Sequence, residues 1–370
     1  MSALEGRNVC RQIRLVSAVF LSIILVSEAQ YTDLQLPFWL LETSGVETTL
    51  HDISFLEANI AFVVGERDTI LYTENDGISW TSKATGSDQS GRLHWHGISF
   101  GERCIANPNW RPGFFPYVCD LKHGYAVGSI GNIVKTEDRG ESWNIQSNFD
   151  LTERPDLVLT IGNTNLWKVQ AVTSELAWIV GDNAVILHTS DGGVVWRVQT
   201  SPVTGSGKAI YNLLFESNST GWVVGDQGLL LKTTNGGETW NKLPLAGYSG
   251  RQNFFSIRAY KDAADDVLFI TAEEGLILRV ASHLPGSGAN ATAVQTVVNA
   301  TCGSDAINGV VFHQAAQSKW PHEPVIESGF AVGQNGVICQ SSDRGYTWEH
   351  QVDPPLPLFC KPVRISVRVF

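Results

Sequence analysis

The sequence predicts an all-β chain folded as a β-propeller of six four-stranded antiparallel blades, and three observations predict it. The pattern Ser/Thr-x-Asp/Asn-x-Gly-x-x-Trp occurs five times, at residues 73–80, 136–143, 189–196, 233–240 and 341–348. Each copy follows an apolar run that ends in glycine, mostly as Val-Gly, at 61–65, 125–128, 177–181, 221–225 and 329–333. Successive gaps between Trp80, Trp143, Trp196, Trp240 and Trp348 are 63, 53, 44 and 108 residues, the last about twice a normal period. A sixth, degenerate unit therefore belongs at 267–280, where two strand-like runs survive without the Asp/Asn-Gly-Trp turn.

Taken in order, each unit reads as four short strands. Strand A alternates apolar residues at 51–55, 96–100, 166–172, 211–215, 255–260 and 308–312. Strand B is the Val-Gly run, strand C ends at the Ser/Thr of the pattern, and strand D begins at its tryptophan. Four antiparallel strands per 40–60 residues, repeated around an axis, are the mark of a propeller. A lone sheet cannot bury both faces, and radial packing against its neighbours solves that. For ring closure, the run 37–41 reads as a strand that completes the last blade, while 348–352 and 364–370 also read as strands. Six blades are expected; the alternative is seven, with the last built from both termini.

The recurring turn has a structural reading at every position. Asn75, Asp138, Asp191, Asn235 and Asp343 stand where a side-chain oxygen accepts from backbone N–H groups just ahead. The leading Ser/Thr adds a second local bond. The glycine two residues on supplies a positive φ. The tryptophan buries roughly 150–250 Å² between strand layers. These five are structural residues rather than catalytic carboxylates.

The chain of 370 residues has a net charge of -11, which argues against a nonspecific nucleic-acid binder. Arg7, Arg11 and Arg14 precede an apolar run at 15–26, and Ser27 and Ala29 offer a small-residue cleavage site. Residues 1–29 are expected to be a signal peptide and 30–370 a single propeller domain, in the secretory-pathway lumen or secreted. Cys104 and Cys119 flank one compact stretch and are the natural first pair. The pairing of Cys302 with Cys339 or Cys360 stays open, and one thiol is left over. Sequons place glycosylation at Asn218, Asn290 and Asn299.

Binding candidates fall in two places. The turns between strands B and C ring one mouth of the channel and carry Arg67, Asp68, Asp182, Asn183, Asp226, Gln227, Glu273, Glu274, Gln334 and Asn335. They suit a cationic or hydroxylated ligand, although tight turns prefer such residues anyway. Two long A–B insertions, at 102–123 and 314–328, carry Trp110, Arg111, Phe114, Phe115, Tyr117 and Trp320 as anchors for a protein or sugar partner. A glycoside hydrolase is the alternative reading, but no spacing singles out the pair of carboxylates it needs. His94 and His96 lack further ligands at metal-binding spacing, so no metal or cofactor is expected.

The five turns resemble BNR, or Asp-box, repeats. Together with the Val-Gly strand and the Gly-x-Ile-x-x-Thr strand, the unit resembles that of the photosystem II stability and assembly factor family, over 49–348. The resemblance implies a non-enzymatic propeller that binds a partner protein during assembly of a membrane complex. It also implies the plastid thylakoid lumen as an alternative location. The chain is expected to be a monomer.

Overall fold

Strand B is apolar on both faces because each face packs on a different blade, and this two-sided burial builds the ring. In Ala177–Gly181, Ala177 and Ile179 join a core shared with the preceding blade, whereas Trp178 and Val180 join one shared with the next. The computed structural model describes residues 13–15, 39–41, 44–57, 59–85, 92–106, 117–152, 161–245, 248, 251–262, 265–281, 297–315 and 325–351.

Six antiparallel blades follow one another. Blade 1 comprises Leu50–Glu57, Ile60–Gly65, Thr69–Thr73 and Thr81–Ser82. Blade 2 comprises Trp95–Ala106, Tyr117–Gly128, Ile133–Thr136 and Asn144–Gln146. Blade 3 comprises Leu166–Ala171, Ala177–Gly181, Ile186–Thr189 and Trp196–Val198. Blade 4 comprises Ile210–Phe215, Gly221–Gly225, Leu229–Thr233 and Asn241–Lys242. Blade 5 comprises Phe254–Asp262, Asp265–Ala272, Leu276–Ala281 and Val297–Thr301. Blade 6 comprises Ile307–Ala315, Val325–Gly333, Ile338–Ser341 and Glu349–His350. The degenerate unit inferred from the tryptophan spacing is blade 5.

The glycine that closes strand B is required by close approach. A Cβ on Gly225 would lie 2.1 Å from the Ala209 carbonyl, and the equivalent contact recurs at Gly65, Gly128, Gly181 and Gly333. That approach lets the first residue of each B–C turn donate its N–H to the residue ahead of strand A, as Asp226 does to Ala209 at 3.0 Å.

Five apolar clusters each join two successive blades, from blades 1 and 2 through to blades 5 and 6. Blade 1 carries a sixth, smaller cluster of Leu50, Val63 and Leu71, with Val46, Ile53 and Trp80 against it. Among the described residues, that cluster draws on blade 1 alone.

Several expected details differ. Trp39–Leu41 is a strand, but it pairs in parallel with Ile13–Leu15 in a separate two-stranded sheet rather than finishing a blade. Residues 364–370 lie outside the described residues. Strand D starts at the tryptophan only in blade 3; elsewhere the tryptophan is spent filling the core and pairing begins after it. Blade 3 gains a fifth, outer strand, Phe149–Asp150, parallel to Trp196–Val198. The described parts of the long A–B insertions are hairpin extensions, with strands A and B paired out to Ala106 and Tyr117 in blade 2 and to Ala315 and Val325 in blade 6.

The open cysteine question resolves to a Cys302–Cys339 disulfide, with Cα atoms 6.3 Å apart. It ties the segment entering blade 6 to strand C of that blade. Cys104 and Cys119 sit directly opposite on paired strands, and Cys360 lies outside the described residues.

Candidate functional site

The C–D turns are closed on themselves. In blade 3 the Thr189 hydroxyl donates to Asp191 Oδ1 at 2.8 Å and accepts the Gly193 N–H at 2.8 Å, while Asp191 Oδ1 accepts the Val195 N–H at 3.0 Å. The same set recurs around Asn75, Asp138, Asn235 and Asp343. Burial pushes the Asp138, Asp191 and Asp343 carboxyls up, but these hydrogen bonds outweigh it and leave all three below the usual range. The turn also clasps its neighbours. Arg139 and Gly192 donate their N–H groups to the A–B turn of the same blade, at Lys122 and Glu175. Gly140, at φ 84°, lies so close to Phe62 of blade 1 that a Cβ would meet its ring at 2.3 Å.

The B–C turns are built differently. Arg67, Asp68, Asn183, Gln227, Glu274 and Asn335 all take left-handed backbone, with φ between 55° and 59°. Their carboxylates reach out of the turn. Asp182 accepts the Trp167 indole N–H at 2.7 Å, and Asp226 accepts the Tyr211 hydroxyl at 2.8 Å. Asp68 accepts the Trp95 indole N–H at 2.8 Å and the Thr85 hydroxyl. Glu273 holds Asn253 through its backbone N–H and side-chain amide, both at 3.0 Å. Glu274 accepts from Gln252, and Asn335 donates to Asp305. Arg67, Asn183 and Gln227 are exposed, and Gln334 is half-buried.

What these turns hold is a collar of rings. Every strand A has a register shift at its start, between Leu50 and Asp52, Trp95 and Gly97, Leu166 and Lys168, Ile210 and Asn212, Phe254 and Ser256, and Ile307 and Gly309. A bulge re-aims the extra residue. The extra residues are His51, His96, Trp167, Tyr211, Phe255 and Asn308. The first five touch in series, with ring centroids 5.1, 4.6, 5.9 and 5.5 Å apart around successive blades. All five are half-buried. Burial, with His51 and His94 nearby, pushes the His96 imidazole down to about 3, and burial lowers that of His51 too. Burial and then the hydrogen bond to Asp226 push the Tyr211 hydroxyl up, helped by the charges of Asp226, Asp182 and Glu273.

One residue further along strand A, Asp52 of blade 1 meets the Lys168 ammonium of blade 3 at 2.5 Å. The Asp52 side chain is 2% exposed and that of Lys168 12%, and Asp52 also accepts the Ile98 N–H at 2.9 Å. Gly97 of blade 2 lies between, with room for no side chain: a Cβ would sit 3.0 Å from Lys168 Cα. Burial lowers the Lys168 pKa, and Asp52 opposes it.

The turn residues named from the sequence are thus brought to one mouth, where Asp182 and Asp226 brace two rings of the collar. The collar itself was missed. Its signal was present, since the aligned strands 51–55, 96–100 and 211–215 open on His, His and Tyr. The pairing of Asp52 with Lys168, 116 residues apart, left no sequence signal.

Trp110, Arg111, Phe114, Phe115 and Trp320 lie outside the described residues. Tyr117 and Cys119 are placed by their backbone in strand B of blade 2. Asn218 is exposed on the A–B turn of blade 4. Asn299 lies in strand D of blade 5, and Asn290 lies outside the described residues. Among the described residues, no group of three His, Cys, Asp or Glu side chains is placed to hold a metal.

The family model for photosynthesis system II assembly factor YCF48 matches residues 115–196 and 155–250, which span blades 2 to 4. No curated protein sequence matches. Among solved structures, YCF48 from Cyanidioschyzon merolae superposes with a TM-score of 0.58 at 16% identity, covering 82% of this chain and 85% of that one. A structure described as YCF48 bound to D1 peptide gives 0.54 at 17% identity, covering 83% and 82%. The Niastella koreensis GH74 enzyme gives 0.51 at 15% identity, and the match covers 82% of this chain but 37% of that one. At such identities the superpositions speak for the fold; the family model and the repeated turns carry the rest. The chain is a BNR, Asp-box β-propeller that resembles the photosystem II assembly factor family.

Proposed function

We propose that this protein is a non-enzymatic scaffold that binds a protein partner during assembly of a larger complex, and that the partner docks on the B–C mouth. The observation that carries the proposal is the collar: five half-buried rings, contributed by five successive blades, meet at one opening. Half-exposed rings, with Trp167 and Tyr211 held by hydrogen bonds to Asp182 and Asp226, give large contact area at little entropic cost, as interface anchors do. The likeness to a structure described as bound to a D1 peptide supports a protein partner.

The carboxylates favour this reading over glycoside hydrolysis. Asp68, Asp182, Asp226 and Glu273 each hold a side chain or backbone group of the collar's support. The proposed place of action is the secretory-pathway lumen, given the leader-like N-terminus and the exposed sequon at Asn218.

Affinity capture from the lumenal compartment tests the proposal. The wild-type chain should retain a defined partner that Trp167→Leu loses and Trp110→Ala keeps. Loss on Trp110→Ala alone would move the docking site to the blade 2 insertion. Hydrolysis of a β-glucan by the purified chain, abolished by Asp226→Asn, would overturn the non-enzymatic reading. Resistance of the Asn218 position to glycan labelling would count against the secretory location.

A further inference from the structure

Resting on the B–C mouth as docking site, we infer that the collar receives a cationic side chain, a lysine or arginine presented by a peptide segment of the partner. Three features favour a cation. The collar sets the rings of Trp167, Tyr211 and Phe255 in series, edge-to-face and tilted with centroids 5.9 and 5.5 Å apart, and aromatic faces carry negative electrostatic potential. Trp167 and Tyr211 each donate a hydrogen bond to a carboxylate, Asp182 at 2.7 Å and Asp226 at 2.8 Å. A donor bonded to an anion is polarised, which places more electron density on its ring and strengthens the attraction for a cation at its face. The third feature is the field around Tyr211, where Asp182, Asp226 and Glu273 act together.

The cations already near the channel do not fill this role. The Lys168 ammonium lies one residue further along strand A and is paired with Asp52. The Arg258 guanidinium donates to the Ile257 carbonyl. His51 and His96 close the other side of the collar, and burial keeps both imidazoles from holding charge at neutral pH. An acidic side chain brought beside Tyr211 would face Asp182, Asp226 and Glu273, whose charges act together there. With a net charge of -11, the chain also attracts basic segments from a distance.

The rim of the molecule supplies a matched control. Asp191 lies in a C–D turn at the opposite end of blade 3, and asparagine stands at the equivalent position in blades 1 and 4, as Asn75 and Asn235. Asp191→Asn therefore removes one negative charge while keeping the turn. Asp226→Asn removes one charge at the collar while leaving an amide oxygen for the Tyr211 hydroxyl, at the cost of the bond that Asp226 accepts from the Ala209 N–H.

The experiment selects phage-displayed random heptapeptides against the full-length chain and measures the affinity of the selected peptides by fluorescence anisotropy. Selection is expected to enrich lysine or arginine at one position. Affinity should fall about tenfold in Asp226→Asn and in Trp167→Leu, and stay within twofold in Asp191→Asn. Replacing the basic residue of the peptide by glutamine should cost the same factor and make Asp226→Asn silent. Peptides without a basic preference that still depend on Trp167 would overturn the cation inference and leave the docking mouth standing. Peptides indifferent to both Trp167→Leu and Asp226→Asn, or no selectable peptide at all, would overturn the inference together with the mouth on which it rests.

Discussion

The two turns of a blade use the same kind of side chain in opposite directions. On the C–D side, Asp191 accepts from Thr189 and Val195 within its own turn. On the B–C side of the same blade, Asp182 reaches out to the indole of Trp167. A carboxylate satisfied inside its turn stabilises the fold and offers little to a ligand. One that holds a half-exposed ring shapes a surface. The proposed division of labour is by face, with stability on the rim and recognition at the mouth.

Substitutions on each face test that division, beginning with the largest effect. Gly140→Ala should cost about 2–4 kcal/mol by chemical denaturation, because a Cβ meets the Phe62 ring at 2.3 Å and the residue sits at φ 84°. The matching Gly77→Ala in blade 1 meets only its own Trp80, at 3.4 Å, and should cost about 1 kcal/mol, the backbone part alone. Equal costs would show that the rim turn does not act as a clasp between blades.

Asp191→Ala should cost about 1–2 kcal/mol, because it leaves the Val195 N–H without its acceptor. It should leave binding at the mouth unchanged. A loss of peptide affinity as large as that in Asp226→Asn would erase the distinction between the faces.

Stability should also depend on pH through the collar. The pKa of His96 is lowered from 6.5 to about 3 in the folded chain. The unfolded chain then binds the extra proton first, so stability is complete above pH 6.5 and declines as pH falls toward 3. His188, lowered to about 4 by burial and stacked on Trp178, adds to the same decline. The depressed carboxyls of the rim turns act only below their unfolded value of 3.8. Between pH 6.5 and 4, a melting series on His96→Gln should therefore be flatter than that of the wild type. An unchanged slope would show that His96 titrates normally.

The smallest effect belongs to Ala184. It takes φ 57° where Gly131, Gly228, Gly275 and Gly336 stand in four other blades. Ala184→Gly should relieve that strain and stabilise by up to about 1 kcal/mol, less whatever its buried methyl contributes.

Much of the fold was legible because its determinants are local. The pattern at 233–240 encodes a turn whose internal hydrogen bonds span at most four residues, so it reads off the sequence directly. The tryptophan spacing revealed blade 5 although its turn has decayed. The collar was half legible. Its aromatic positions recur in strand A, but alternation assigns a residue to a face, and only the bulge at each strand start turns it toward the mouth. The Cys302–Cys339 choice and the Asp52–Lys168 pair were beyond the sequence, because both depend on which distant segments the ring brings together.

By itself, then, the sequence determined the repeat, the strand order within a blade and the chemistry of each turn, since these rest on contacts between near neighbours along the chain. Tertiary structure decided which of the turn carboxylates face a ring, that each strand A bulges at its start, and where five aromatic side chains converge. The reason is geometric. An axis exists only once the blades close around it, and the residues that line it come from segments that share no local signal.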